Sequence, residues 1–342
     1  MHLSVTFSLL FLSAALLLFL AGRYIPGFAD SYRAAMNPVI LDSIGRFFGL
    51  FPFSVAEMLL CAAIPLLILF ARRRIFFRAL FFLLSLGALL FELNEGVYFS
   101  CTTFTRQYRL DRGSYSTEEL AEVCRALAER ANACAPSVSR DGEGIMQTDP
   151  GLPDRMRGAV QDLGSRYDVL DLHLPRPKGV LFSRLLSDSS LTGIYSIFTV
   201  EANYNREMAP YNTPFTMAHE LSHLCGVMSE KEANFVGYLA CRDSAAPDIR
   251  YSGALMGWIY CGNELDRRSY DKWLEIASTL DESVNRDLEY NTEFWDRHRG
   301  KTSETVQKLN DSYLKAGGIA EGAESYDLVV DLIVAYERDQ SG

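Results

Sequence analysis

Residues 212–234, NTPFTMAHELSHLCGVMSEKEAN, spell a helix, a turn and a second helix. Thr213 is a good N-cap and Pro214 suits the first helical position. His219 and His223 then lie four apart on one helical face, where two imidazoles can reach one tetrahedral metal ion. Glu220 sits beside that ion without binding it and can take a proton from metal-bound water. The chain has only 5 His, and two of them are here. Gly226 can end the helix in a left-handed turn. Ser229 and Glu232 then form a Ser-x-x-Glu capping box for the next helix. That gives Glu232 a structural task and leaves Glu230, in the first turn, to face the metal. Asn234, four residues on, shares the face of Glu230 and can hydrogen-bond a ligand His. The expected site is Zn2+ on His219, His223 and Glu230, with one position open for water and Glu232 as the alternative third ligand. A lone His-Glu-x-x-His turns up by chance in many helices. The cap before it, the glycine after it and the carboxylate at reachable spacing give this one weight.

The flanking residues set the fold class. Ser116-Thr117-Glu118-Glu119 begins a helix running to about residue 131, with Leu120, Val123, Cys124, Leu127 and Ala131 at helical spacing. Residues 135–151 are polar and turn-rich, and 156–167 read as a short helix. Residues 169–174, 179–183 and 191–203 look extended, separated by Pro175, Pro177 and a Ser/Asp cluster. After Pro214 the chain reads as mostly helical to Tyr336. Strands followed by a helix-rich half predict an α+β body with one small sheet. Residues 191–205, LTGIYSIFTVEANYN, alternate in part just before the metal helix. As a sheet edge this segment can hold an extended substrate by backbone pairing; as a core strand it only packs. Glu201 and Asn203 fit packing or surface roles better than a cleft. Donors for transition-state charge are sought among Tyr326, Tyr313 and His298. Tyr326 follows a Gly-rich turn and opens the last apolar helix, which makes it the catalytic candidate, although the same position suits a buried structural Tyr. His173, between Leu172 and Leu174, reads as packed.

The N-terminal quarter has a different character. Residues 3–22 carry no charge, 47–71 carry only Glu57, and 75–91 carry only Arg78. Twenty apolar helical residues span a hydrocarbon core of ~30 Å, so three transmembrane helices are expected. A cleaved signal peptide is the competing reading of the first, and a buried helical hairpin that of the other two. Arg72, Arg73, Arg74 and Arg78 crowd the short turn between the second and third stretches, which places that turn in the cytoplasm and everything after residue 94 outside. Glu57 is either functional or turned toward a neighbouring helix. Seven Arg against Asp30, Asp42, Glu57 and Glu92 give residues 1–93 a charge of +3, and the chain's −10 leaves −13 for the remainder. A 49% hydrophobic content argues against disorder, and an acidic chain without a basic stripe argues against nucleic acid as a partner. Six of the 7 Cys follow residue 94 and are either disulfide-paired or small buried thiols.

Two resemblances attach to these residues. Residues 230–234, Glu-x-x-Ala-Asn after the His pair, resemble the Glu-x-x-Ala/Ser-Asp pattern of gluzincin metallopeptidases, in which the Glu is the third zinc ligand and the Asp supports a ligand His. Asn234 stands in place of that Asp, and the interval from His223 to Glu230 is shorter than gluzincins usually have. More of the chain resembles a family of bacterial membrane proteins known only as domain of unknown function 3810. The shared features are the three-span head, residues 219–241, and the tail NDSYLKAGG at 310–318 followed by Ser325-Tyr326 and residues 329–336. The resemblance covers most of the length and implies a zinc-peptidase-like outer domain, with no substrate attached.

The expectation is thus a three-helix transmembrane region, 1–93, and an extracytoplasmic zincin-like body, 94–342, in a multi-pass protein of the cell membrane. Its partners are the lipid bilayer and a peptide or protein substrate, hydrolysed through a zinc-activated water with Glu220 as general base. The alternatives are a non-catalytic protein with a structural zinc or peptide-binding site, and amide hydrolysis of cell-wall peptide by the same residues.

Overall fold

The structure, a computed structural model, describes residues 3–70, 74–110, 113–317 and 329–341. Two apolar helices, α1 (Leu3–Tyr24) and α5 (Arg74–Asn94), pack along each other at one end of the molecule. Their outer faces expose Leu9, Leu17, Phe77 and Leu84. Both are long and apolar enough to cross a membrane. Among the described residues they are two, not the three expected. The stretch 47–71 is not one helix. Its start belongs to α2 (Phe28–Ile40), which runs through a π-helical turn, Leu41–Gly45, into α3 (Arg46–Gly49). The chain then bends through Pro52, whose ring and missing N–H do not suit a helix interior. Ser54 restarts it, its hydroxyl accepting from Glu57 N–H, as α4 (Val55–Phe70). The sixteen described residues of α4 rise about 24 Å at 1.5 Å each.

The segment between the first two apolar stretches is part of the body. Ile40 and Leu41 are buried in the same core cluster as Leu221, Leu224 and Val227. Asn37 Nδ2 donates to Leu224 O at 3.0 Å, and Tyr98 OH donates to Asn37 Oδ1. Asp30 accepts from Thr102 N–H and its hydroxyl. The hydrophobic core therefore runs across residue 93.

Two short helical elements link the head to the first body helix, a 3-10 turn (Gly96–Ser100) and α6 (Phe104–Gln107). Helix α7 (Thr117–Cys134) begins with the expected capping, here a full box between Ser116 and Glu119. α8 (Leu152–Asp162) follows, and residues 168–170 form a 3-10 turn rather than a strand. The sheet is small: β1 (Lys178–Gly179), then α9 (Ser183–Asp188), β2 (Gly193–Ser196) and β3 (Glu201–Tyr204), in the order β1-β3-β2. β1 runs parallel to β3 and β2 antiparallel to it. The run 191–203 is thus a hairpin. Val200 turns at φ 53°, and Thr199 Oγ1 donates to Ser196 Oγ at 2.8 Å.

The rest is helical: α10 (Asn212–Leu224), α11 (Glu230–Arg242), α12 (Pro247–Arg268), α13 (Tyr270–Ala277), α14 (Glu282–His298), α15 (Lys301–Gly317) and α16 (Val329–Ser341). A mostly helical α+β body with a small sheet is therefore observed. α12 packs on α7, α11 and α16. Glu337 of α16 ties three helices, accepting from Tyr238 OH at 2.5 Å, from Arg130 at 3.0 Å and from Arg242. All seven cysteines are free thiols, and five of them are buried in the core, which is the small-apolar role.

Candidate metal centre

Helix α10 starts one residue before the expected cap. Thr213 and Pro214 lie in its first turn, where the missing proline N–H leaves no intrahelical bond unmade. Gly226, at φ 80°, ends it as expected, and Val227 N–H closes back on Ser222 O at 3.1 Å. A side chain at Gly226 would meet Arg33 Cδ at 2.9 Å, so the turn is pressed against α2. Ser229 precedes α11 but its hydroxyl makes no cap, and the expected box with Glu232 is not formed. Glu232 instead accepts from Phe104 N–H (2.9 Å), Thr105 N–H (2.8 Å) and Thr105 Oγ1 (2.6 Å), holding the start of α6. It is saturated there, away from the imidazoles.

Glu230 faces them. Its carboxylate lies 3.2 Å from His219 Nε2 and 4.0 Å from His223 Nε2, and the two Nε2 atoms are 3.1 Å apart. The three donor atoms fall within 4.8 Å of one another. His219 Nδ1 contacts Asn234 Oδ1 at 2.8 Å, and His223 Nδ1 contacts Val227 O at 2.8 Å. A carbonyl oxygen can only accept, so both Nδ1 atoms carry the proton and both Nε2 atoms of neutral rings present lone pairs. Two lone pairs and a carboxylate aimed at one point repel unless a metal cation or a proton lies between them. A tetrahedral zinc with bonds of 2.0–2.1 Å sets its donors ~3.3 Å apart; the two separations from His219, 3.1 and 3.2 Å, match, and the 4.0 Å from His223 to Glu230 is longer. The donor set and spacing therefore fit zinc.

Without a metal ion, a proton takes that place. Burial disfavours a charged His219, but the Glu230 and Glu220 carboxylates outweigh it and push the imidazole up to about 9. Burial, and then the neighbouring His219, push His223 down to about 4. Glu220 is buried, and desolvation raises its carboxyl to about 8 against the pull of His219. Strand β2 crosses directly over it: a Cβ at Gly193 would sit 2.5 Å from Glu220 Oε1. Two residues along, on the same strand face, the Tyr195 ring stacks on His223 with centroids 6.4 Å apart, and its hydroxyl donates to Asn94 O at the end of α5. Sequence reading passed over Gly193 and Tyr195. Their signal was the alternation of 191–205, which the hairpin turn interrupts.

The other candidates lie elsewhere. His298 contacts Asp188 Oδ1 at 2.7 Å and packs on Phe294. His173 is exposed rather than packed. Glu201 pairs with buried Lys178 and accepts from Val55 and Ala56 N–H at the start of α4. Asn203 Nδ2 donates to the backbone of its own sheet. Tyr326 lies outside the described residues, and Tyr313 is placed only as a backbone position in α15. Glu57 accepts from Leu181 N–H (2.9 Å) and Phe182 N–H (2.6 Å), tying α4 to the sheet layer.

No curated protein and no solved structure matches the chain. A family described as "Protein of unknown function (DUF3810)" matches residues 32–334. That span takes in α2, the seam with the apolar helices and the whole centre, and the chain belongs to this family.

Proposed function

We propose that the chain is a membrane-anchored zinc metallopeptidase, gluzincin-like in the order of its ligands, that hydrolyses peptide bonds. The observation that carries this reading is the convergence of His219, His223 and Glu230, with Glu220 buried beside them. Zinc bound there supplies Lewis acidity, polarising a scissile carbonyl and lowering the pKa of water. Glu220 takes the proton of the attacking water and passes it to the leaving amine. Its desolvated carboxylate is a stronger base than an exposed one. Asn234 and Val227 O hold both imidazoles in the tautomer that presents Nε2. The free edge of β2 pairs with an extended substrate, and Gly193 keeps that edge close to Glu220.

The apolar helices set the topology. α1 and α5 end, and α4 begins, against the body. Arg74 and Arg78 stand at the end of α5 away from the body, so a cytoplasmic location for that end puts the body outside the cytoplasm. Arg33 does not oppose this count, because it is buried against Gln107 and Asp30.

The test uses the full chain in detergent, with zinc content and cleavage of a peptide library as readouts. Glu220→Gln keeps zinc and loses turnover by about 10²–10⁴-fold. A zinc-loaded wild type that cuts no peptide, or a Gln variant that cuts as well as wild type, overturns the proposal.

A further inference from the structure

The body carries an unusual apolar rim where the helices leave it. Leu50 is 77% exposed and Leu185 69%, and Phe53, Phe182, Ile194 and Phe198 are also exposed. Each lies beside a membrane-directed element. Leu50 and Phe53 lie in the bend leading into α4. Phe182 and the start of α9 are held on the first turn of α4 through Glu57. Phe198 packs at Gly87 of α5, where a Cβ would lie 3.7 Å from its ring. Ile194 is on edge strand β2, next to Tyr195, whose hydroxyl bonds the last residue of α5. Apolar and aromatic side chains at this level suit the boundary between headgroups and acyl chains.

The same rim opens into a groove. α1 and α5 border an open groove of about 610 Å³ between Leu16, Phe19, Leu83 and Gly87, bounded toward the body by Ile197, Phe198 and Glu92, the one charged residue lining it. These last two residues directly follow β2. The groove, the edge strand and Glu220 are thus joined by contact: the 197–198 turn lines the groove, Gly193–Ser196 leads from it, and Gly193 lies against Glu220.

Resting on the peptidase reading above, we propose that the substrate is a polypeptide anchored in the same bilayer. Its apolar anchor lies in the α1–α5 groove, its juxtamembrane chain pairs with β2, and the cut falls just outside the acyl chains. The continuity of the groove with both spans selects an apolar segment as its occupant. The edge strand selects an extended chain beyond that segment. Tethering then raises the local concentration of the scissile segment at the centre.

The experiment uses the zinc-loaded full chain in lipid vesicles. One peptide, taken from sites the enzyme cuts, is presented in three forms: soluble, joined directly to a single apolar helix, or joined to it through a long Gly/Ser spacer. The directly anchored form is expected to be cut at least ~10-fold faster than the soluble one, with the spacer form in between. Gly87→Leu fills the groove and is expected to bring the anchored rate down toward the soluble rate while leaving soluble cleavage unchanged. Phe182→Trp and Ile194→Trp, measured against the parent's own tryptophans, are expected to be quenched by lipids brominated near the headgroup. Equal rates for anchored and soluble forms overturn the substrate class. An anchored rate untouched by Gly87→Leu overturns the groove, and leaves lipid as its occupant. Unquenched tryptophans overturn the seating of the rim. If wild type and Glu220→Gln leave all three forms uncut, the peptidase reading itself has failed, and quenching still decides the seating.

Discussion

The seam between the apolar helices and the body, and the candidate metal centre just behind it, are both built on carboxylates, and they treat them in opposite ways. At the seam Asp30, Glu57, Glu201 and Glu232 each accept two or more hydrogen bonds, mostly from backbone N–H groups at the starts of helices. Such groups are fully solvated by protein, and their work is to fix one element on another. At the centre Glu220 has no hydrogen-bond donor among the described residues, and Glu230 faces two imidazoles. A desolvated carboxylate without donors is costly, which makes Glu220 a candidate for use by a cation or a reaction. Donor saturation, rather than burial or sequence position, separates these four seam acids from Glu220.

The contrast can be broken by substitution. Glu201→Ala strikes the seam hardest, because it strands buried Lys178 and two N–H groups of α4. Thermal or chaotrope unfolding in detergent should show a loss of about 3–5 kcal/mol, with zinc content per folded molecule unchanged. Glu232→Ala and Glu230→Ala should give reciprocal results. The first loses about 2–3 kcal/mol of stability and keeps zinc; the second keeps the stability of the metal-free protein and loses zinc. If elemental analysis finds zinc lost on removing Glu232 and kept on removing Glu230, the ligand assignment is reversed.

A third test uses pH at a site remote from both. Burial alone would raise the Glu337 carboxyl, but hydrogen bonds from Arg242, Arg130 and Tyr238 overcome it and hold it at about 2, against an ordinary 4.5. The stability it contributes, about 2–3 kcal/mol, is complete above pH 4.5 and disappears as pH falls through about 2. Glu337→Gln should flatten that limb of the stability–pH curve; an unchanged limb would assign acid sensitivity to other groups. The smallest expected effect is at Asn234. Asn234→Ala should weaken zinc about 10–100-fold by a chelator competition assay while the unfolding midpoint of the metal-free protein barely moves.

The centre was legible because its logic is local. His219 and His223 share a helix face by spacing alone, Gly226 marks the turn, and Asn234 reaches His219 because both lie one turn from the junction. Glu230 rather than Glu232 faces the imidazoles as expected, though the expectation ran through a capping box that does not exist: Glu232 is occupied by α6, more than a hundred residues upstream. The seam was not legible, because its contacts are long-range. The run 47–71 has the hydropathy of a span, yet Pro52 and Ser54 divide it, and nothing local says that residues 28–41 belong to the body core. Glu57 looked like an anomaly in lipid; its partners, Leu181 and Phe182 N–H, lie far along the chain. The hairpin 193–204 was blurred by a turn that needs a positive φ at Val200, a residue that seldom adopts one.

Asn37 sits ahead of α4, yet its amide grips Leu224 O, one residue past the second imidazole. A shedding cut between α1 and α2 would leave that grip in place. Loss of everything before residue 94 would take it away, together with Ile40 and Leu41. In a cell, such processing would act as an off-switch rather than a release. At the bench, a soluble truncation that begins after α5 should yield a misfolded fragment rather than a tractable enzyme.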